Sequence, residues 1–225
     1  MINAIQNSRK LTLTVFTSVL AAAAMLTANR AAVAQENPDK ILKKVRENYE
    51  KLESLTADFE KNYTWTQVGE TQTLSGKIYL KRGDRYRVET GLQTIVTDGK
   101  TVWTYTPSKQ QVYLDKMEGS HENPLPRELL AKYATDYRAR YLRKDVLDGV
   151  SCHVILLTPR DENAFVESVT VWVDANQWLT VQVEQVDLNE NLTVYKMSNL
   201  ALNEKLSDHL FSFEIPKDVE IIDLR

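Results

Sequence analysis

Leu74-Ser75-Gly76-Lys77-Ile78-Tyr79-Leu80-Lys81-Arg82 alternates strictly, with Leu74, Gly76, Ile78 and Leu80 on one parity against Ser75, Lys77 and Tyr79. A period of two marks a strand with one buried face, because successive side chains leave opposite sides of the pleat. The rhythm continues on both sides of this stretch. Upstream, Leu55, Ala57 and Phe59, then Tyr63 and Trp65, keep one parity; downstream, Tyr86 and Val88 stand between Arg85, Arg87 and Glu89. Thr94 to Thr97 and Thr101 to Thr106 flank Asp98-Gly99, a hairpin signal, and Gln111 to Lys116 follows through Pro107-Ser108. Further strands are predicted at Tyr137 to Lys144, Val150 to Thr158 across the Asp148-Gly149 turn, Val166 to Asp174, Leu179 to Asp187 and Leu192 to Leu200. About ten strands in antiparallel succession predict a closed or nearly closed barrel, or a strongly curved sheet.

Two short helices accompany them. Asn37 is a candidate N-cap, Pro38 suits the first helical position, and Asp39 complements the dipole; Ile41, Val45, Tyr49 and Leu52 fall on one stripe. Asn123 to Ala134 has helical composition after Pro124 and Pro126 and interrupts the strands. The first 34 residues read as a cleaved signal peptide. Arg9 and Lys10 precede an uncharged run from Leu11 to Leu26, and Ala32-Val33-Ala34 supplies a small-x-small cleavage site. Residues 35–225 are then expected to form a single domain.

The 225-residue chain carries a net charge of −3, and loss of Arg9, Lys10 and Arg30 makes the remainder more acidic. That argues against a nucleic-acid surface, which needs net basic character to neutralise phosphates. The lone cysteine, Cys152, excludes a disulfide scaffold. His121, His153 and His209 are too dispersed for a zinc motif, and Cys152 and His153, adjacent on a strand, should face opposite ways as a buried small apolar side chain and a surface histidine. With no phosphate loop, nucleophile elbow or acid pair, no enzyme activity, metal or cofactor is expected. Arg138, Arg140, Arg143 and Lys144 read either as a docking stripe or as a solvated strand face.

The distinctive feature is apolar surface in the first half of the chain: Leu55, Phe59, Tyr63, Trp65, Ile78, Leu80, Tyr86, Val88, Ile95, Trp103 and Tyr105. Two readings stand side by side, an ordinary core with a helix plug or an apolar cavity that two short helices cannot fill. Arg82 shares the parity of Ile78 and Leu80. If the strand stays regular to that point, its guanidinium must find acceptors such as helix carbonyls across the cavity mouth; if the strand ends at Lys81, Arg82 is an exposed turn residue.

Leu55-Thr56-Ala57-Asp58-Phe59, Gly76 to Arg82, Thr97-Asp98-Gly99-Lys100-Thr101-Val102-Trp103-Thr104-Tyr105 and Leu210-Phe211-Ser212-Phe213-Glu214-Ile215-Pro216 together resemble, in order, the periplasmic outer-membrane lipoprotein carrier family, LolA. The resemblance implies a mainly β (α+β) fold, a half-open, strongly curved antiparallel β-barrel with a helical lid over a hydrophobic cavity. It implies a periplasmic, monomeric carrier of acylated lipoproteins that is loaded by an inner-membrane lipoprotein-releasing ABC transporter and unloaded to an outer-membrane acceptor. Acyl chains would lie against Leu55, Phe59, Ile78, Leu80, Tyr86, Val88, Ile95, Trp103 and Tyr105, with Leu129 and Leu130 facing them from a lid helix over Leu125 to Ala134. Arg82 would be the lid latch. Gly83 stands where better-known members have proline, which implies a looser turn. A lipid- or lipoprotein-sensing protein of the same architecture, without a transfer role, is the alternative.

Overall fold

The computed structural model describes residues 36–117 and 135–225. The expected signal peptide and the helix over 125–134, with Leu129 and Leu130, lie outside the described residues. The first helix, α1 (Pro38–Lys51), begins as its sequence predicts, with the Asn37 side chain accepting the Lys40 N–H at 3.1 Å and Asp39 in the first turn. Its buried stripe is Ile41, Leu42 and Val45.

Among the described residues, twelve strands follow: β1 (Ser54–Trp65), β2 (Glu70–Lys81), β3 (Arg85–Thr90), β4 (Thr94–Thr97), β5 (Thr101–Thr106), β6 (Gln111–Lys116), β7 (Tyr137–Leu147), β8 (Val150–Pro159), β9 (Val166–Asp174), β10 (Thr180–Asp187), β11 (Leu192–Leu202) and β12 (Glu220–Asp223). All belong to one sheet in the order β12-β6-β5-β4-β3-β2-β1-β11-β10-β9-β8-β7. The sheet is curved and not closed, with β12 and β7 at its ends, and so takes the strongly curved, open form among those the sequence allowed rather than the closed barrel. Two antiparallel meanders, β1 to β6 and β7 to β11, meet where β1 pairs with β11. Register shifts in the β1–β11, β9–β10 and β7–β8 pairs increase local twist. The Asp148-Gly149 hairpin forms as expected, with both residues at positive φ, +49° and +83°. Strand β12 was not expected; it is four residues long and pairs parallel to β6, and neither property leaves an alternation to read.

Directly paired residues share a side of the sheet, so the register assigns every strand residue to one of two sides. On the α1 side, Ile41, Leu42 and Val45 pack with Ile155, Leu157, Val169, Val171 and Val173 of β8 and β9. The β9–β10 turn holds the helix in place. Asn48 donates to the Gln177 carbonyl at 2.7 Å, and the Lys44 ammonium sits 4.0 Å from the centre of the Trp178 ring. Trp178 in turn stacks on His153 at 5.6 Å. His153 is therefore buried, not on the surface as expected, whereas Cys152 faces the other way into a cluster with Val154, Trp172 and Val181.

The far side of the first meander is covered by the C-terminal segment. Phe211, 2% exposed, closes over this side, where Val96 and Val112 are fully buried and Arg87 donates to the Leu210 carbonyl at 3.4 Å. The ring of Phe213 lies 5.7 Å from that of Tyr105.

Gly76 allows β2 and β3 to approach, since a Cβ there would collide with the Glu89 carbonyl oxygen and stand 3.0 Å from the Phe59 ring. Gly76→Ala is expected to destabilise the protein by about 2 kcal/mol or more through overpacking. A urea midpoint unchanged from the parent would refute that reading of the contact.

Candidate functional site

The register builds a continuous apolar surface on the α1 side. One row runs Leu55, Leu80, Tyr86, Thr97 and Val102; the next runs Ala57, Ile78, Val88, Ile95 and Thr104; Phe59 pairs with Gly76 beside them. Seven of the residues expected to form the cavity, Leu55, Phe59, Ile78, Leu80, Tyr86, Val88 and Ile95, thus share one side. Leu55 and Tyr86 are buried, at 1% and 2% exposure, whereas Phe59, Leu80, Val88 and Ile95 are only half-buried. The helix end joins them: Tyr49 and Leu52 pack with Leu55, Ala57, Ile78 and Leu179.

Trp103 and Tyr105 do not join this surface. Thr97 pairs with Val102, so Trp103 faces Val96 and Tyr105 faces Thr94, both on the far side under the C-terminal segment. The sequence carried this signal. Pairing across the β4–β5 hairpin matches odd with even residues, so Ile95 and Trp103, both odd, cannot share a side; apolar character alone had grouped them. Val102, Thr104 and Thr106 are the β5 residues on the α1 side.

Between the end of α1 and the β2–β3 turn lies a cavity of about 180 Å³, with Tyr49, Leu52, Leu55 and Leu80 in its wall and Glu53 and Arg82 among its charged lining. Pockets for small molecules start at about 300 Å³, so this volume fits part of an acyl chain only. Strand β2 ends at Lys81, and Arg82 stands in the turn with its side chain 55% exposed, so the regular strand does not reach it. It still finds a helix acceptor. Its Nη2 donates to the Lys51 carbonyl, the last of α1, at 3.2 Å, and its Nη1 lies 2.9 Å from Glu53 Oε1. A cation at a helix C-terminus meets the negative end of the dipole and an otherwise unsatisfied carbonyl. Gly83 has φ +86°, a value closed to proline, so the glycine belongs to this turn's geometry.

With the geometry in place, comparison with known proteins is informative. The family model "Outer membrane lipoprotein carrier protein LolA" matches residues 50–214. The outer-membrane lipoprotein carrier protein of Haemophilus influenzae (strain PittEE) is 31% identical over 179 residues, covering 78% of this chain and 83% of that protein. An uncharacterized protein of Methanocaldococcus jannaschii is 26% identical over 191 residues; the match covers 84% of this chain but only 54% of that protein's length. Among solved structures, an uncharacterized conserved protein of Thermus thermophilus superposes with a TM-score of 0.57 at 14% identity, covering 82% of this chain and 97% of that one, which is a likeness of fold.

Tyr49 reports on the cavity wall. Burial pushes its phenol from 10.0 up to about 12, against the pull of a backbone hydrogen bond at Thr180. Because the folded value lies above the unfolded one, stability is intact below about pH 10 and falls as pH rises toward about 12. Absorbance titration at alkaline pH is expected to show a tyrosine ionising at about pH 12 that disappears in Tyr49→Phe.

Proposed function

The chain belongs to the LolA family of outer membrane lipoprotein carrier proteins, and from this membership and the one-sided apolar surface we propose that it is a periplasmic carrier for the acyl chains of lipoproteins. Its cargo comes from an inner-membrane ABC transporter and passes to an acceptor at the outer membrane. Export depends on the first 34 residues. The observation that carries the reading is the group of half-buried residues Phe59, Leu80, Val88 and Ile95 on one side of the sheet, beside a small cavity whose lining includes Arg82. Apolar side chains left partly exposed on the helix-covered side of a sheet are suited to a ligand that completes their burial.

The mechanism is physical. Each buried methylene contributes about 0.8 kcal/mol, so an acyl chain would be held too firmly for hand-over if nothing opposed it. Arg82 supplies a reversible opposing contact. An exposed pair of its kind contributes up to about 1 kcal/mol, enough to offset roughly one methylene. The contact thus tunes release, and the acceptor's stronger hold gives it direction.

Two experiments test this. Newly synthesised lipoproteins should leave spheroplasts of the source organism when the purified protein is added and should travel with it as a soluble one-to-one complex. No release, with the transporter shown to be active, overturns the carrier reading in favour of a lipid-sensing one. Arg82→Leu is expected to bind cargo as well as or better than the parent and to transfer it about fivefold more slowly; a variant that transferred normally would remove the latch role.

A further inference from the structure

The turn that carries Arg82 has two residues at positive φ, Gly83 at +86° and Asp84 at +59°, and its glycine gives it little stiffness of its own. Its backbone is nevertheless gripped. Arg85 Nε and Nη2 both donate to the Arg82 carbonyl oxygen, each at 3.1 Å. The remaining guanidinium nitrogen, Nη1, lies 2.7 Å from Asp208 Oδ1, which also receives Lys81 Nζ at 2.6 Å. All three nitrogens of one planar group are thereby committed, two to the turn and one to the carboxylate, and the plane cannot rotate without breaking contacts at both ends. Asp208 itself stands on a fixed support. It opens the 3-10 turn Asp208–Phe211, whose Phe211 is 2% exposed beneath the Lys81 and Arg85 side chains.

We propose that Asp208, acting through Arg85, is a positioning residue for Arg82: it orients the guanidinium fork that holds the Arg82 carbonyl, and so sets the turn from which Arg82 reaches the end of α1. The proposal rests on the reading of Arg82 as a latch. It links the two sides of the sheet, since Arg85 lies on the far side, where it meets Asp208 of the C-terminal segment, while the ligand surface faces α1. The Lys81 and Arg85 charges also hold the Asp208 carboxyl below the usual aspartate value, which keeps it ionised for this role. A second contact pins the same turn: a Cβ on Gly99 would come within 2.5 Å of the Gly83 carbonyl oxygen, so the β4–β5 turn packs directly against it.

The test follows transfer of a fluorescent palmitoyl probe from the purified protein to phosphatidylcholine vesicles. Asp208→Asn is expected to slow transfer about threefold, in the same direction as Arg82→Leu, and to add nothing in the Arg82→Leu background. Asp208→Glu should restore the parent rate. Arg85→Lys, which keeps a cation beside Asp208 but loses the fork, should slow transfer like Asp208→Asn and carries the test if the latter does not fold. Equal slowing by Asp208→Asn with and without Arg82 would make Asp208 a structural clasp and overturn the proposal. Normal transfer by both Asp208→Asn and Arg85→Lys, beside a slow Arg82→Leu, would overturn it and leave the latch standing. If Arg82→Leu itself transferred normally, the latch and the relay would fall together.

Discussion

Strand β1 pairs with β2 from Ser54–Lys81 to Trp65–Glu70 on one edge and with β11 from Leu55–Leu202 to Thr64–Leu192 on the other. Without this double pairing the two meanders would be separate sheets, each with an exposed edge to protect. With it, one surface runs from Ile155 and Val171 beneath α1 to Val88 and Ile95 beyond its end. Among the described residues, helix α1 covers the second meander most completely, and Phe59, Leu80, Val88 and Ile95 of the first meander stay half-buried. That asymmetry sets a fully packed core under α1 beside a less covered apolar surface on the same sheet.

The contacts that Arg82 makes beside the cavity are individually weak. The Arg82 side chain is more than half exposed, and exposed ion pairs contribute little in water. Its placement matters more than its strength. Arg82 meets α1 at the helix's last carbonyl, where one cation satisfies both a free acceptor and the dipole. The groups that hold the Arg82 carbonyl lie on the opposite side of the sheet from the apolar surface that faces α1.

Much of this was legible from the residues. The alternation in β1 to β3, the Asn37 cap and the Asp148-Gly149 hairpin are local signals, and each formed where it was read. The seven apolar residues from Leu55 to Ile95 were found because period-two patterning reports which side is buried. Trp103 and Tyr105 were misassigned because both sides of the first meander are apolar, one facing α1 and the other the C-terminal segment. Hydrophobicity marks burial without saying against what. Arg82 combines the two alternatives read from the sequence: it stands exposed in the turn after Lys81, as one held, and it still donates to a helix carbonyl, as the other did.

By itself, then, the sequence determined strands β1 to β11, the alternation within each and the helix cap, because these depend on neighbours a few positions apart. The tertiary structure alone decided that the sheet stays open, that β11 returns to β1, that β12 adds in parallel to β6, and that Phe211 and Asp208 close over the far side. Those outcomes join residues more than a hundred positions apart, as in the Asp208–Arg85 pair. Such pairs leave no periodic trace, and their geometry exists only once the sheet has brought the two segments together.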